Sequence, residues 1–297
     1  MTDRLLGSGL IIVDKPAGMT SHDVISRLRR IFGTRRIGHA GTLDPMATGV
    51  LVVGIERGTR FLAHLVTETK TYRATIRLGA STTTDDAEGD ITSRTDTTGV
   101  TDTIIDAAIT QLTGDIMQKP AAVSAIKIDG KRAHERVRDG ETVDIPARPV
   151  TVHRFDVLDR RSVDGYIDLD VDVFCSSGTY IRSLARDLGN ALGVGGHLTA
   201  LRRTTVGPFD LTHARTLEEL EDNPQLSLTL DQALAASFPV LRVSGEEGHK
   251  LAMGQWLEPR GLKGIHAAVT PDGRAVALVK EKGKRLATVF VARPSTL

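Results

Sequence analysis

Between Tyr166 and Gly193 the chain changes its hydrophobic period once, and no other stretch constrains the fold so tightly. In YIDLDVDVFCSSGTYIRSLARDLGNALG, Ile167, Leu169, Val171 and Val173 alternate with Asp168, Asp170 and Asp172. A period of two with acids between aliphatics predicts a strand with one buried and one wet sheet face. After Gly178, the residues Ile181, Leu184, Ala185, Leu188 and Leu192 recur at helical spacing. A strand therefore feeds directly into a helix, and Tyr180 and Arg182 sit at that helix's mouth, on turns that can face a cleft.

Other segments repeat the theme. GLIIVDKPAGMTSHDVISRLRRIFG reads as a strand over Leu10–Val13, a turn over Asp14–Gly18, and a helix opened by a Thr20/Asp23 capping box and stopped at Gly33. VLVVGI is apolar enough for a buried strand, and the loop before it spans residues 33–49. KTYRATIRLG alternates, with Tyr72, Ala74, Ile76 and Leu78 on one face. STTTDDAEGD is an acidic loop, and Ile104 to Leu112 mark a helix closed by Gly114. VSAIKIDGK predicts a strand with a turn at Asp129-Gly130, and AHERVRDG a short basic helix. Residues 210–237 read as an acidic, helical connector with a Thr216/Glu219 capping box. From residue 238 the short apolar runs and Gly, Pro and Lys punctuation predict a small all-β unit.

With 297 residues the chain is long enough for about two domains of roughly 150 residues each. Its one cysteine, Cys175, excludes an intrachain disulfide and a thiolate zinc site, and fits a reducing cytoplasm. No basic region followed by a long apolar stretch opens the chain, and no run of 18 apolar residues occurs, so neither a signal peptide nor a membrane span is expected. The formal charge of +1 hides an uneven distribution: residues 1–60 carry nine Lys/Arg against five acids, whereas residues 81–115 carry one arginine against eight. Arginines outnumber lysines 28 to 10, and a guanidinium fork suits phosphates and stacked bases. A GC-rich genome would produce the same bias, so nucleic acid is a hint from composition and no more.

Several chemistries can be set aside. Ser124 and Lys127 match a Ser-x-x-Lys pair, but the companion Ser-Asp-Asn and Lys-Thr-Gly are missing. His134 lacks the second histidine of a zincin, DDAEGD lacks the ligand spacing of a calcium loop, and GVGGHL follows a helix rather than a strand. What remains is GHAGTLDPMATGVLVVG, where Asp44 is the one carboxylate among glycines, small residues and aliphatics. An Asp-Pro pair is commonly a turn. A lone carboxylate is also a competent nucleophile toward a sugar carbon, provided that burial does not protonate it. The residues alone leave both readings open.

GHAGTLDPMATGVLVV resembles the catalytic motif of the TruB-type pseudouridine synthases, and the match is not isolated. GLIIVDKPAGMTS, KTYRATIRLG, TTTDDAEG, CSSGTYIRSLARDLG and HLTALRRTTVGPF resemble further motifs of that family, in family order over residues 9–210. The tail is similar, more weakly, to an RNA-binding PUA-like domain. The resemblance implies an α+β fold: a catalytic domain over residues 1–237 with a mixed, largely antiparallel sheet flanked by helices, and a β-rich PUA-like domain over 238–297. It implies isomerisation of uridine to pseudouridine in the T-arm of tRNA, at position 55, by base flipping, with no cofactor and no metal. Asp44 matches the catalytic aspartate, and His39 the histidine that replaces the flipped base in its stack. Tyr72 matches the tyrosine that stacks on that base. Tyr180, Arg182 and Leu201 match pocket residues, with Arg182 paired to the nucleophile, while Lys15, Asp86 and Arg202 are candidate RNA contacts. Ser177 stands where the family frequently has lysine, which removes one peripheral phosphate contact. A cytoplasmic monomer with tRNA as its partner is expected, without a membrane or protein partner. The alternative is an RNA-binding or RNA-folding module with secondary catalysis.

Overall fold

Leu10–Val13 have no exposed surface and form the middle of β1 (Gly9–Lys15) in a computed structural model that describes residues 7–66, 68–121, 145–295 and, of the stretch between, residues 127, 128, 131 and 132. The chain divides into two compact units, one made of the residues up to Val66 and those from Thr205 onward, the other of the residues between. In the first unit, β1 leads into α1 (Ser21–Phe32), whose N-cap Thr20 forms the expected capping box with Asp23 and whose C-cap Gly33 takes the left-handed conformation at φ 64°. The loop expected over residues 33–49 is interrupted by β2 (Ile37–Ala40). This strand is too short to announce itself by periodicity. It pairs antiparallel with β3 (Thr48–Ile55), which also pairs antiparallel with β1 from Gly9↔Ile55 to Lys15↔Gly49. β3 is buried from Gly49 to Ile55, as its unbroken apolar run requires. Full burial of each aliphatic side chain there contributes about 1.5–3 kcal/mol. A short helix, α2 (Gly58–Phe61), follows.

The second unit is built on an antiparallel sheet. β4 (Lys70–Leu78) alternates buried and partly exposed positions as its sequence predicts. A hairpin of β5 (Ala80–Thr82) and β6 (Ile91–Arg94) encloses the acidic segment. α3 (Asp102–Gln111) ends with its cap at Leu112, so Gly114 opens the next strand, β7 (Gly114–Gln118), instead of closing the helix. β8 (Lys127–Ile128) and β9 (Lys131–Arg132) form a short antiparallel pair. The turn between them and the basic helix expected at residues 133–140 lie outside the described residues. β10 (Arg148–Val163), β11 (Tyr166–Cys175), α4 (Ile181–Ala191) and β12 (Gly196–Val206) complete the unit, with strand order β4–β11–β10–β7. The face of β11 expected to be wet is only partly so. Asp168 is buried, because Arg77 on β4 forks onto it (2.8 and 2.7 Å), and Asp170 is held by Arg161 and Thr75.

The chain returns to the first unit through β13 (Phe209–Asp210), a 3₁₀ turn, α5 (Leu217–Asp222) with the expected Thr216/Glu219 box, β14 (Leu228–Thr229) beside β1, and α6 (Leu230–Ser237). β15 (Val240–Arg242), α7 (Gly245–Ala252), β16 (Ile265–Val269), β17 (Ala275–Lys282) and β18 (Arg285–Val291) follow. Helix α7 corrects the all-β expectation: its Ser244/Glu247 capping box opens a genuine helix against a β-rich four-stranded sheet. This sheet shares a core with the start of the chain, where Phe290 packs 6.1 Å from Phe61 and the Arg57 Nε donates to the Ala292 carbonyl at 2.7 Å.

Candidate active site

Asp44 opens a tight turn. Pro45 fixes φ at the next position, and the Ala47 N–H closes the turn on the Asp44 carbonyl at 3.0 Å. The chain is anchored on both sides of this residue. Before it, Leu43 exchanges two hydrogen bonds with the Ser21 hydroxyl, at 2.9 and 3.1 Å, where α1 begins. After it, the Pro45 carbonyl accepts from the Gly18 N–H at 2.8 Å and from the Lys15 ammonium at 3.2 Å. Asp44 itself is half-buried. A backbone fixed at both neighbours narrows the positions open to the side chain between them, as catalytic positioning requires.

Lys15, expected among the RNA contacts, is fully buried, and its ammonium also donates to the carbonyls of Pro16 (2.8 Å) and Met19 (2.6 Å). An ammonium that donates to these three carbonyls is an internal brace that joins the Asp14–Met19 turn to the Asp44 turn. His39 lies on β2, half-buried, opposite Val53 of β3, so a strand rather than a loop positions it.

The remaining candidates belong to the second unit. Tyr72 is buried on the inward face of β4. Tyr180 is the N-cap of α4, and its backbone exchanges two hydrogen bonds with the buried amide of Gln118, at 2.8 and 3.0 Å. Arg182, in the first turn of α4, is 6% exposed; its Nη1 donates to the Thr84 carbonyl at 3.1 Å and stands 3.6 Å from Asp86. Asp86, a further expected RNA contact, is buried and folds its own turn, accepting from the Thr84 hydroxyl (2.5 Å) and the Glu88 N–H (3.0 Å). Asp85 beside it adopts a left-handed φ of 62° and pairs with Arg186, one turn beyond Arg182 on α4. Burial pushes the Asp85 carboxyl up, against the pull of Arg186. Leu201 is buried and Arg202 half-buried on β12.

The structure thus gathers Lys15 and Asp44 around one turn, and Arg182 and Asp86 around another. Sequence reasoning missed Ser21, Gln118 and Asp85. Each is an ordinary polar residue whose partner is distant in sequence or contributes only backbone, so no local pattern reveals it. Among the described residues, no group of three or more His, Cys, Asp or Glu side chains is arranged to hold a metal. Ser124 lies outside the described residues.

Comparison with known proteins extends the geometry. The model for the N-terminal domain of the TruB family of pseudouridylate synthases matches residues 29–181. The model for the tRNA pseudouridylate synthase B C-terminal domain matches residues 182–236, and that for the C-terminal part of tRNA pseudouridine synthase II matches 238–293. The chain is 73% identical over 297 residues, the full length of both chains, to tRNA pseudouridine synthase B of Corynebacterium efficiens. It is 57% identical over 294 residues to the protein of that name in Rhodococcus jostii, covering 99% of this chain and 96% of the relative. Among solved structures, a Cbf5-Nop10-Gar1 complex matches with a TM-score of 0.74 at 27% identity, over 98% of this chain and 87% of the other. An H/ACA ribonucleoprotein bound to a substrate RNA containing 2′-deoxyuridine matches at 0.72 and 27%, over 96% and 85%. The protein is therefore an isomerase of the pseudouridine synthase class. Within that class, the chain belongs to the TruB family.

Proposed function

We propose that this protein converts uridine 55 in the T-arm of tRNA to pseudouridine, with Asp44 as the residue that acts on the ribose. The observation that carries the proposal is the anchoring of the Asp44 turn, through Ser21 on one side and through Gly18 and Lys15 on the other. The identity to relatives named tRNA pseudouridine synthase B supports the choice of substrate. In the reaction the N1–C1′ bond breaks, the uracil turns over, and C5 bonds to C1′; the proton lost from C5 is balanced by one gained at N1, so nothing is oxidised. A carboxylate assists by attacking the sugar or by removing a proton from it, as charge develops in the manner of glycoside cleavage.

A uracil inside a folded T-loop must be everted first, at a cost of a few kcal/mol. Stacking on Tyr72, at about 1–3 kcal/mol per base, offsets much of that, while His39 takes the vacated place in the stack. Arg182, anchored by Thr84, supplies a guanidinium, and Tyr180 and Leu201 shape the base's surroundings. The same reading divides the chain at residues 237/238 into a catalytic and an RNA-holding part, and has it act alone, without a cofactor, in the cytoplasm. Among the described residues no helix is long and apolar enough to cross a membrane.

The test is Asp44→Asn. Incubation with unmodified tRNA and with a bare T-arm hairpin, followed by carbodiimide mapping, should show no pseudouridine while tRNA binding persists. Unchanged isomerisation would remove Asp44 from the mechanism, and modification elsewhere than position 55 would remove the site assignment.

A further inference from the structure

A groove of about 610 Å³ opens where α1 ends, lined by Arg29, Arg30, Gly33, Thr34 and Arg35. Three of its five lining residues are arginines and none is acidic. One turn earlier on the same helix the arrangement is the opposite: Arg27 forks onto Glu221 at 2.7 and 2.8 Å and reaches Glu218 at 3.2 Å. Among the described residues no acid forms an ion pair with Arg29, Arg30 or Arg35. Glu221, whose charge Arg30 senses, is already committed to Arg27. Arg29 donates one Nη2 bond to the Ile37 carbonyl at 3.4 Å, and its buried Nε meets no acceptor.

The helix dipole accounts for part of this arrangement. Cations in a last helical turn gain about 0.3–1 kcal/mol, and Arg29 and Arg30 occupy that turn. Arg35 lies two residues beyond the Gly33 cap, outside the reach of that effect. Three arginines without an ion pair around one groove repel one another, so the free protein holds a charge arrangement that an anion would relieve. Planar forks fit phosphate oxygens in particular. Arg35 is four residues from His39, and four residues of chain span at most about 14 Å.

We infer that this groove grips the phosphodiester backbone of the RNA substrate, within a few nucleotides of the base that is modified. This inference rests on the function proposed above. The contact carries charge and no sequence information, so it positions the RNA without selecting the base.

The experiment uses the Arg30→Gln/Arg35→Gln double variant of the full chain; both side chains are exposed, and Arg29 is left in place to hold Ile37. Arg161→Gln, whose guanidinium is taken by Asp159 and Asp170, is the control for loss of an arginine as such. Binding of a fluorescent T-arm hairpin is followed by anisotropy across a salt series, and KM and kcat are measured on unmodified tRNA. The double variant should bind about tenfold more weakly, its log–log salt slope should be shallower by about one to two, and kcat at saturation should be retained. The control should match the unaltered protein. An unchanged slope and affinity in the double variant would overturn the inference, as would displacement of the hairpin by inorganic phosphate at constant ionic strength as readily from the double variant as from the unaltered protein. An unaltered protein that binds the hairpin but forms no pseudouridine would sink the proposed function instead, while the same titrations still decide the groove.

Discussion

The Ser21 hydroxyl and the Leu43 backbone hold each other twice, the hydroxyl donating to the Leu43 carbonyl at 3.1 Å and accepting from its N–H at 2.9 Å. Ser21 is the first residue of α1 and Leu43 immediately precedes Asp44, so the helix start and the candidate catalytic turn move as one body. Ser21→Ala leaves both backbone groups of Leu43 without this partner at a buried position. Each unsatisfied group costs about 1–3 kcal/mol. A displacement of about 1 Å at a reacting group lowers rates by up to about a hundredfold. The variant should therefore lose about 2–6 kcal/mol in chemical denaturation and at least tenfold in kcat, with KM for tRNA little changed. A kcat equal to that of the unaltered protein would show that the Asp44 turn keeps its place without Ser21.

Lys15 makes a second claim testable. Replacing it with methionine keeps the stem and removes the charge, leaving the carbonyls of Pro16, Met19 and Pro45 without their shared donor. If Lys15 braces the turn, Lys15→Met should lower stability by about 2–4 kcal/mol and lower kcat, yet leave the salt dependence of RNA binding as it was. If Lys15 instead met an RNA phosphate, the salt slope would become shallower by about one and the stability would hold. Denaturation and the salt series together separate the two.

These two residues also mark what the sequence disclosed. The Thr20/Asp23 box, the Gly33 stop and the alternation of β4 are local, and each was legible because the residue and its partner lie within a few positions of one another. The carboxylate at position 44 stands out for the same reason: it is the one acid in its stretch, with His39 as the other titratable group. What holds it did not stand out. The bonds from Ser21 to Leu43 and from Lys15 to Pro45 join residues 22 and 30 positions apart, and only the pairing of β1 with β3 brings such segments together. From sequence His39 reads as a loop residue, because four residues carry too little periodicity to reveal β2. The acids of β11 suggested a solvated face, since no pattern within the strand shows that Arg77 arrives from β4 to bury Asp168.

Gly189 tests how α4, and with it Tyr180 and Arg182, is seated. A Cβ there would lie 2.1 Å from the Gly196 N and 2.2 Å from the Gly195 carbonyl carbon, both backbone atoms that have nowhere to go. Alanine at a helix interior ordinarily stabilises by about 0.5–1 kcal/mol over glycine. Here the clash decides the sign: Gly189→Ala should destabilise by about 1–3 kcal/mol or more, as overpacking does. It should also reduce isomerisation, because α4 cannot shift without moving Arg182. A variant as stable as the parent would mean that the approach of α4 to the Gly195–Gly196 segment is looser than described.

Lys70 and Cys175 give opposing pH dependences within one unit. Burial, reinforced by Arg203, pulls the Lys70 ammonium down to about 8, and the ammonium donates to the Glu68 carbonyl at 2.8 Å. The unfolded chain, with lysine near 10.4, binds more protons between pH 8 and 10.4, so this residue makes stability rise with pH across that window and withholds it below. Burial pushes the Cys175 thiol up to about 11, where the unfolded thiol ionises near 8.5. The folded state then holds more protons between pH 8.5 and 11, and stability falls across that range. The two slopes largely cancel in the native protein. Lys70→Met removes the rising one and should raise stability at pH 7 by about 1–3 kcal/mol, while exposing a decline above pH 9 that the parent lacks. Cys175→Ala should do the reverse, losing packing at pH 7 but gaining stability relative to the parent as the pH rises from 9 to 10.5. Denaturation midpoints of the three proteins at pH 7, 9 and 10.5 read both effects, and a Lys70→Met variant less stable than the parent at pH 7 would show that the buried ammonium is held by more than it loses to desolvation.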